Sequence, residues 1–205
     1  MRSTPPWNSG IIRRGVGSLK VQGNNRAGVL QHEERFTKSH QRIWSRNMET
    51  VYIETTIPSY LTAHRSRQQP MASHQQITRD WWDHDRVRFR LYSSIAVRAE
   101  MSKGDASAAA KRLKAMVGIP ELEVTPEVQP LADSIVQLLQ LPQKAQMDAT
   151  HVAFAVVHRM DYLLTWNCTH LANATLQKTL FEYCTYHHLH MPVICTPELL
   201  TKPEI

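Results

Sequence analysis

Short apolar runs alternate with longer segments of helical period along most of this chain. Val51, Tyr52 and Ile53 are strand formers without polar relief, so Val51–Glu54 reads as a short buried strand. Pro58 suits a turn or the first position of a helix, and "SYLTA" begins one. Residues 73–88, "SHQQITRDWWDHDRVR", predict a long helix with Ile77 and Trp81, four apart, on its apolar face. "FRLYSS" at Phe89–Ser94 predicts a second strand, and "AVRAEMSKGD" a helix that stops at Gly104. "DASAAAKRLKAMVG" is strongly helical in propensity, with Gly118 as its stop. "LEVTP" reads as a third strand and "EVQPLADSIVQLLQ" as a helix.

A central helix follows over "QKAQMDATHVAFAVVHRM", with Met147, Val152, Ala155 and Val156 near one side. Asp161–Asn167, "DYLLTWN", reads as a fourth strand, "NATLQKTLFEYCTYHH" as a last helix, and Val193–Cys195 as a fifth strand. Strands separated by helical crossovers predict a three-layer α/β/α domain with a central, mainly parallel sheet of four or five strands.

Residues 1–47 show neither period. They hold five of the seven glycines, nine of the 24 Lys and Arg, and only two of the 18 acids. They read as a disordered basic extension or as sequence upstream of a start at Met48, with a nucleic-acid-binding arm as the functional alternative. The remaining chain, residues 48–205, then carries 15 bases against 16 acids, so the net charge of +6 says little about the folded domain. The three cysteines, Cys168, Cys184 and Cys195, have no CxxC spacing and read as reduced thiols of a cytoplasmic protein. Without an apolar run of about 18 residues, no membrane span is expected.

In open parallel sheets, ligands bind beyond the carboxyl ends of the strands. Glu54 ends the first strand, Glu100 follows the second, Asp148 opens the central helix, and Asn167 ends the fourth strand. Gathered carboxylates repel one another, and a cation offsets that cost. Oxygen ligands suit Mg²⁺ or Mn²⁺, which polarise water and stabilise charge on a phosphoryl group. Each position has a plainer role on its own: helix cap, solvated helix residue, N-terminal helix acid, or turn residue.

"VYIETTIPSYL", "AVRAEMSKGD", "KAQMDATHVAFA" and "DYLLTWNCTHLANA", in that order, resemble a PIN domain of the VapC-like kind, over about residues 48–200. The resemblance implies a Mg²⁺- or Mn²⁺-dependent endoribonuclease acting on an RNA substrate. It is often the toxin of a type II toxin–antitoxin pair, so a cognate antitoxin and a homodimer are implied as partners. It maps the metal ligands onto Glu54, Glu100 and Asp148, with Asn167 as a fourth catalytic position. Two departures stand out: Glu54 replaces the usual aspartate, and the neutral Asn167 replaces a fourth acid. They motivate the alternative of a non-catalytic PIN-like module that binds RNA or a protein partner. A small-molecule phosphohydrolase on a similar sheet is a third option.

Thr55, Thr56 and Thr165 are candidates for orienting the acids. His151, three residues after Asp148, shares its helix face and reads either as a core histidine or as a group that positions water or substrate. Arg65 and Arg67, then Arg86, Arg88 and Arg90, are candidate contacts to an RNA backbone. Trp82 is a candidate interface residue. Cys184, His187, His188 and His190 invite a zinc reading, although their spacing matches no standard site.

Overall fold

The apolar run at residues 50–53 becomes the middle strand of a five-stranded, all-parallel sheet in the computed structural model, which describes residues 48–202. The extension predicted over residues 1–47 lies outside the described residues. The strands are β1 (Thr50–Ile53), β2 (Arg90–Ser94), β3 (Glu121–Leu122), β4 (Tyr162–Leu164) and β5 (Val193–Cys195), in the order β3-β2-β1-β4-β5. Seven helices flank them: α1 (Thr56–Thr62), α2 (Met71–Asp80), α3 (Ile95–Met101), α4 (Ala106–Ala115), α5 (Val128–Leu139), α6 (Gln146–Val157) and α7 (Ala174–Tyr186). This is the α/β/α class that the alternation predicts. Val51, Tyr52 and Ile53 are fully buried, as a strand covered on both faces requires.

The strands are shorter than the sequence suggests. "LEVTP" contributes only Leu122 to β3, and "DYLLTWN" pairs only over Tyr162–Leu164. The residues after each strand turn away to cap helices or build the site described below. The helix predicted over residues 73–88 is regular only to Asp80. It then widens into a π turn over Trp81–Asp85 and tightens into a 3₁₀ turn over Arg86–Arg88. Trp81 and Trp82 are both buried. The Trp81 indole N–H donates to the Leu200 carbonyl at 3.1 Å.

Trp82 therefore belongs to the core rather than to an interface, with the Arg86 guanidinium 4.8 Å above its ring. Arg88 pairs with Asp85, and the Arg90 guanidinium donates to the Met48 carbonyl. All three arginines sit at or before the start of β2, at the end of the sheet opposite the strand carboxyl ends.

α6 is buried all round rather than along one stripe: Ala149, His151 and every residue from Val152 to Val156 are buried. A helix apolar on every side belongs in an interior, and α6 packs between α5, α3 and β4. The caps follow the sequence more closely. Asp105 begins α4 by accepting a hydrogen bond from the Ala108 N–H at 2.8 Å. Gly118, beyond its end, takes φ +86°, which an L side chain rarely adopts. The Asp105→Ala variant should lose about 1 kcal/mol of stability, read from the urea midpoint.

No helix among the described residues is long and apolar enough to cross a membrane.

Candidate metal centre at the strand carboxyl ends

Pairing of β1 with β4 places Ile53 opposite Leu164. The next residues are therefore neighbours: Glu54 N–H donates to the Leu164 carbonyl at 3.1 Å, and Thr165 N–H to Cys195 at 3.0 Å. Two parallel strands thus end with a carboxylate beside a threonine hydroxyl. Glu54 is only 4% exposed. Its Oε2 accepts hydrogen bonds from the Thr56 N–H (3.0 Å), the Thr56 hydroxyl and the Thr165 hydroxyl (2.8 Å). Among the described residues, none donates to its Oε1. One oxygen is fixed by three donors.

Glu100 arrives by a different route. Ser94, the last residue of β2, caps α3 by accepting from the Val97 N–H. The helix then carries Glu100 back toward β1. Glu100 Oε2 accepts from the Thr55 hydroxyl at 2.6 Å and lies 2.9 Å from His151 Nε2. Burial raises the Glu100 carboxyl pKa, but hydrogen bonds from His151 and Thr55 and the His151 and Lys103 charges outweigh it. The net result lies below the usual carboxylate value.

His151 is 1% exposed, and both its ring nitrogens are engaged. Nδ1 lies 2.9 Å from the Tyr52 hydroxyl, which is itself 2.7 Å from Ser94 Oγ. Tyr52 is pushed far above the ordinary tyrosine value, first by burial and then by the Glu54 and Glu100 charges, against a lowering by Ser94. It stays a phenol. An ionised Glu100 calls for a proton on Nε2. In the neutral tautomer with its proton on Nε2, Nδ1 is the acceptor, Tyr52 donates to His151 and Ser94 donates to Tyr52. The sequence left His151 between core and function; here it is a buried group that orients an acid.

Glu54, Glu100 and His151 each offer a ligand atom, all within 4.8 Å of one another. They form the only such set among the described residues. Cys184, His187, His188 and His190 do not converge. Cys184 and Cys195 are buried, and burial raises both thiols, Cys195 to about 12. Asp148, expected as the third metal ligand, is not in the set. Its Oδ2 lies 2.9 Å from His170 Nδ1. Asn167, expected as a fourth catalytic group, uses its side-chain oxygen to accept from the His170 N–H at 3.1 Å. Its own N–H donates to the Thr165 hydroxyl at 2.9 Å.

His170 is not among the candidate residues read from the sequence. Its signal was the spacing Asn167-x-x-His170, which lets an asparagine cap the turn that carries the histidine. Hydrogen bonds run from Glu54 through Thr165 and Asn167 to His170 and Asp148. Glu100 joins at the other end through Thr55, which leads into Thr56. All four positions predicted from sequence are therefore gathered in one framework, Glu54, Asn167 and Asp148 through hydrogen bonds and Glu100 through the adjacent residues Thr55 and Thr56. Arg65 and Arg67 are exposed in the loop after α1.

The donors suit a divalent cation. Two carboxylates are brought to one buried edge, and one has an oxygen with no donor among the described residues. Acid should test the Glu100 arrangement. A carboxyl whose folded pKa is depressed contributes stability that is fully present above the unfolded value, near 4.5, and is lost as pH falls through the folded value. Chemical denaturation of wild type below pH 4.5 should show that loss, and Glu100→Gln should flatten it.

No protein-family model and no curated protein matches this chain.

Proposed function

We propose that this chain is a metal-dependent endoribonuclease, the activity implied by its resemblance to VapC-like PIN domains. The observation that carries the reading is the framework joining Glu54, Glu100, Asp148 and Asn167 at the carboxyl edge of a parallel sheet. Such an edge is where open α/β sheets bind ligands.

Glu54 and Glu100 are assigned to hold Mg²⁺ or Mn²⁺. Bound there, the ion would supply Lewis-acid stabilisation of phosphoryl charge and polarise a water. Thr56 and Thr165 fix Glu54, while Thr55 and His151 fix Glu100, so neither acid must reorganise when substrate enters. Asp148 and His170 form an acid–base pair. The carboxylate accepts a hydrogen bond from Nδ1–H and leaves Nε2 to accept a proton from the attacking group. His170 is 25% exposed at its side chain, so solvent and substrate reach it. In the same proposal the protein is the toxin of a type II pair, with a homodimer and an antitoxin as its assemblies.

The test is incubation of the chain with several RNAs and Mn²⁺, beside Asp148→Asn. Cleavage by wild type alone is the expected result. Equal cleavage by both, or by neither, removes the nuclease. Engagement of the Asn167 oxygen in a cap favours one second reading, a PIN-like module that binds RNA without cutting it. That reading predicts retained RNA without products.

A further inference from the structure

A cavity of about 290 Å³ lies between α1 and α4, one to two helical turns from the acids. Ser59 and Thr62 line its α1 side, on the face that begins with Thr55; Lys111 and Arg112 supply positive charge, against the single acid Asp105, and His64 adds an imidazole. Ser59 is about 6 Å, and Thr62 about 10 Å, along the helix from Thr55. Thr55 itself holds Glu100. The cavity therefore lies along the helix face that Thr55 begins.

Its groups are already sorted by hydrogen-bonding sense. The Ser59 hydroxyl donates to the Thr55 carbonyl at 2.8 Å, and the Thr62 hydroxyl to Pro58 at 2.8 Å. Their protons are spent on the helix, so both oxygens offer lone pairs to a ligand. The Arg112 guanidinium is spent in part. It donates to the Met101 and Lys103 carbonyls and ties α4 to the turn before it. The Asp105 carboxylate caps α4. Lys111 is exposed and His64 lies in the exposed loop after α1; among the described residues, neither side chain has a salt-bridge partner. The cavity thus presents the Lys111 ammonium from α4 and hydroxyl acceptors from α1, with His64 beside them in the loop after α1. Its volume is at the lower end of small-ligand sites.

We infer that this cavity holds one ribonucleotide unit of the RNA strand adjoining the scissile bond, its phosphate against Lys111 and His64 and its ribose 2′-hydroxyl donating to Ser59 or Thr62. The inference rests on the ribonuclease reading for the identity of the strand. An anion alone would need only the cations. The hydroxyl acceptors add a partner for the one sugar donor that distinguishes RNA from DNA.

The probes are a fluorescein-labelled RNA octamer and the DNA octamer of the same sequence, bound to the full chain in EDTA and read by anisotropy across a salt series. Lys111→Gln should weaken both probes and reduce the salt slope by roughly 0.7. Ser59→Ala should weaken RNA alone and bring its affinity toward that of DNA. The Ser59 N–H still bonds to the Thr55 carbonyl, so the helix keeps its backbone pairing in that variant. A wild type that binds RNA no better than DNA, or an unchanged slope in Lys111→Gln, overturns the proposal. Cleavage with Mn²⁺ is followed in parallel. Loss of the nuclease with this binding pattern intact removes the catalytic reading and keeps the subsite. Cleavage by both variants at wild-type KM removes the subsite and keeps the nuclease.

Discussion

Glu54→Gln should lower RNA cleavage by on the order of 10²-fold or more and weaken Mn²⁺ binding by at least about tenfold, the scale expected when even an outer partner of a ligand is lost. The substitution is chosen for what it keeps. Glutamine retains one carbonyl oxygen, which can still accept from the Thr56 N–H, the Thr56 hydroxyl and the Thr165 hydroxyl. The amide nitrogen then occupies the place of Oε1, the oxygen with no donor among the described residues, and replaces the proposed ligand with a donor that repels a cation. Alanine would be less informative. It would strand three donors at a site that is 4% exposed, each at about 1–3 kcal/mol, so lost activity could not be separated from lost fold. Isothermal titration with Mn²⁺ and product analysis on a denaturing gel read the two effects. A midpoint of thermal unfolding close to wild type shows that the framework survives. Cleavage within tenfold of wild type would sink the role given to Glu54.

The sheet and its order of elements were legible because β1 and α6 are extreme cases: Val51–Ile53 allow nothing but burial on both faces, and "HVAFAVV" is apolar for longer than any strand here. Glu54 was legible for the same reason, as the first polar residue after an unrelieved run. The lengths of β3 and β4 were not. Val124 and Trp166 have strand-like side chains, but their backbones leave the ladder, a choice made by the following helix and by the site. Trp166 illustrates this. Its N–H donates to the Thr56 hydroxyl and its indole N–H to Thr78, partners 110 and 88 residues away that no local pattern announces. His151 was left between two readings, and His170 was missed. One looked like core because it follows an apolar helix face, and it is buried, yet its Nε2 faces an acid. The other looked incidental because its partner, Asp148, is 22 residues distant.

That division of labour between the two histidines leads to a double dissociation. Asp148→Asn should cut cleavage by on the order of 10²-fold, the usual contribution of a positioned acid–base group. It should leave Mn²⁺ affinity within about threefold, because Glu54, Glu100 and His151 still stand within 4.8 Å of one another. His170→Ala should match it in both readouts. His151→Leu should do the reverse in the binding assay. Glu100 then keeps only the Thr55 hydroxyl among these two partners and is free to turn, so Mn²⁺ affinity should fall about 10- to 100-fold. Stability should fall by about 1–3 kcal/mol as a buried hydrogen-bonding partner is withdrawn. Excess Mn²⁺ should restore part of the His151→Leu activity and none of the Asp148→Asn activity, since only the first loss is one of occupancy. If Asp148→Asn abolishes Mn²⁺ binding instead, Asp148 is a metal ligand in the working enzyme, and the Asp148–His170 pair must open when the ion enters.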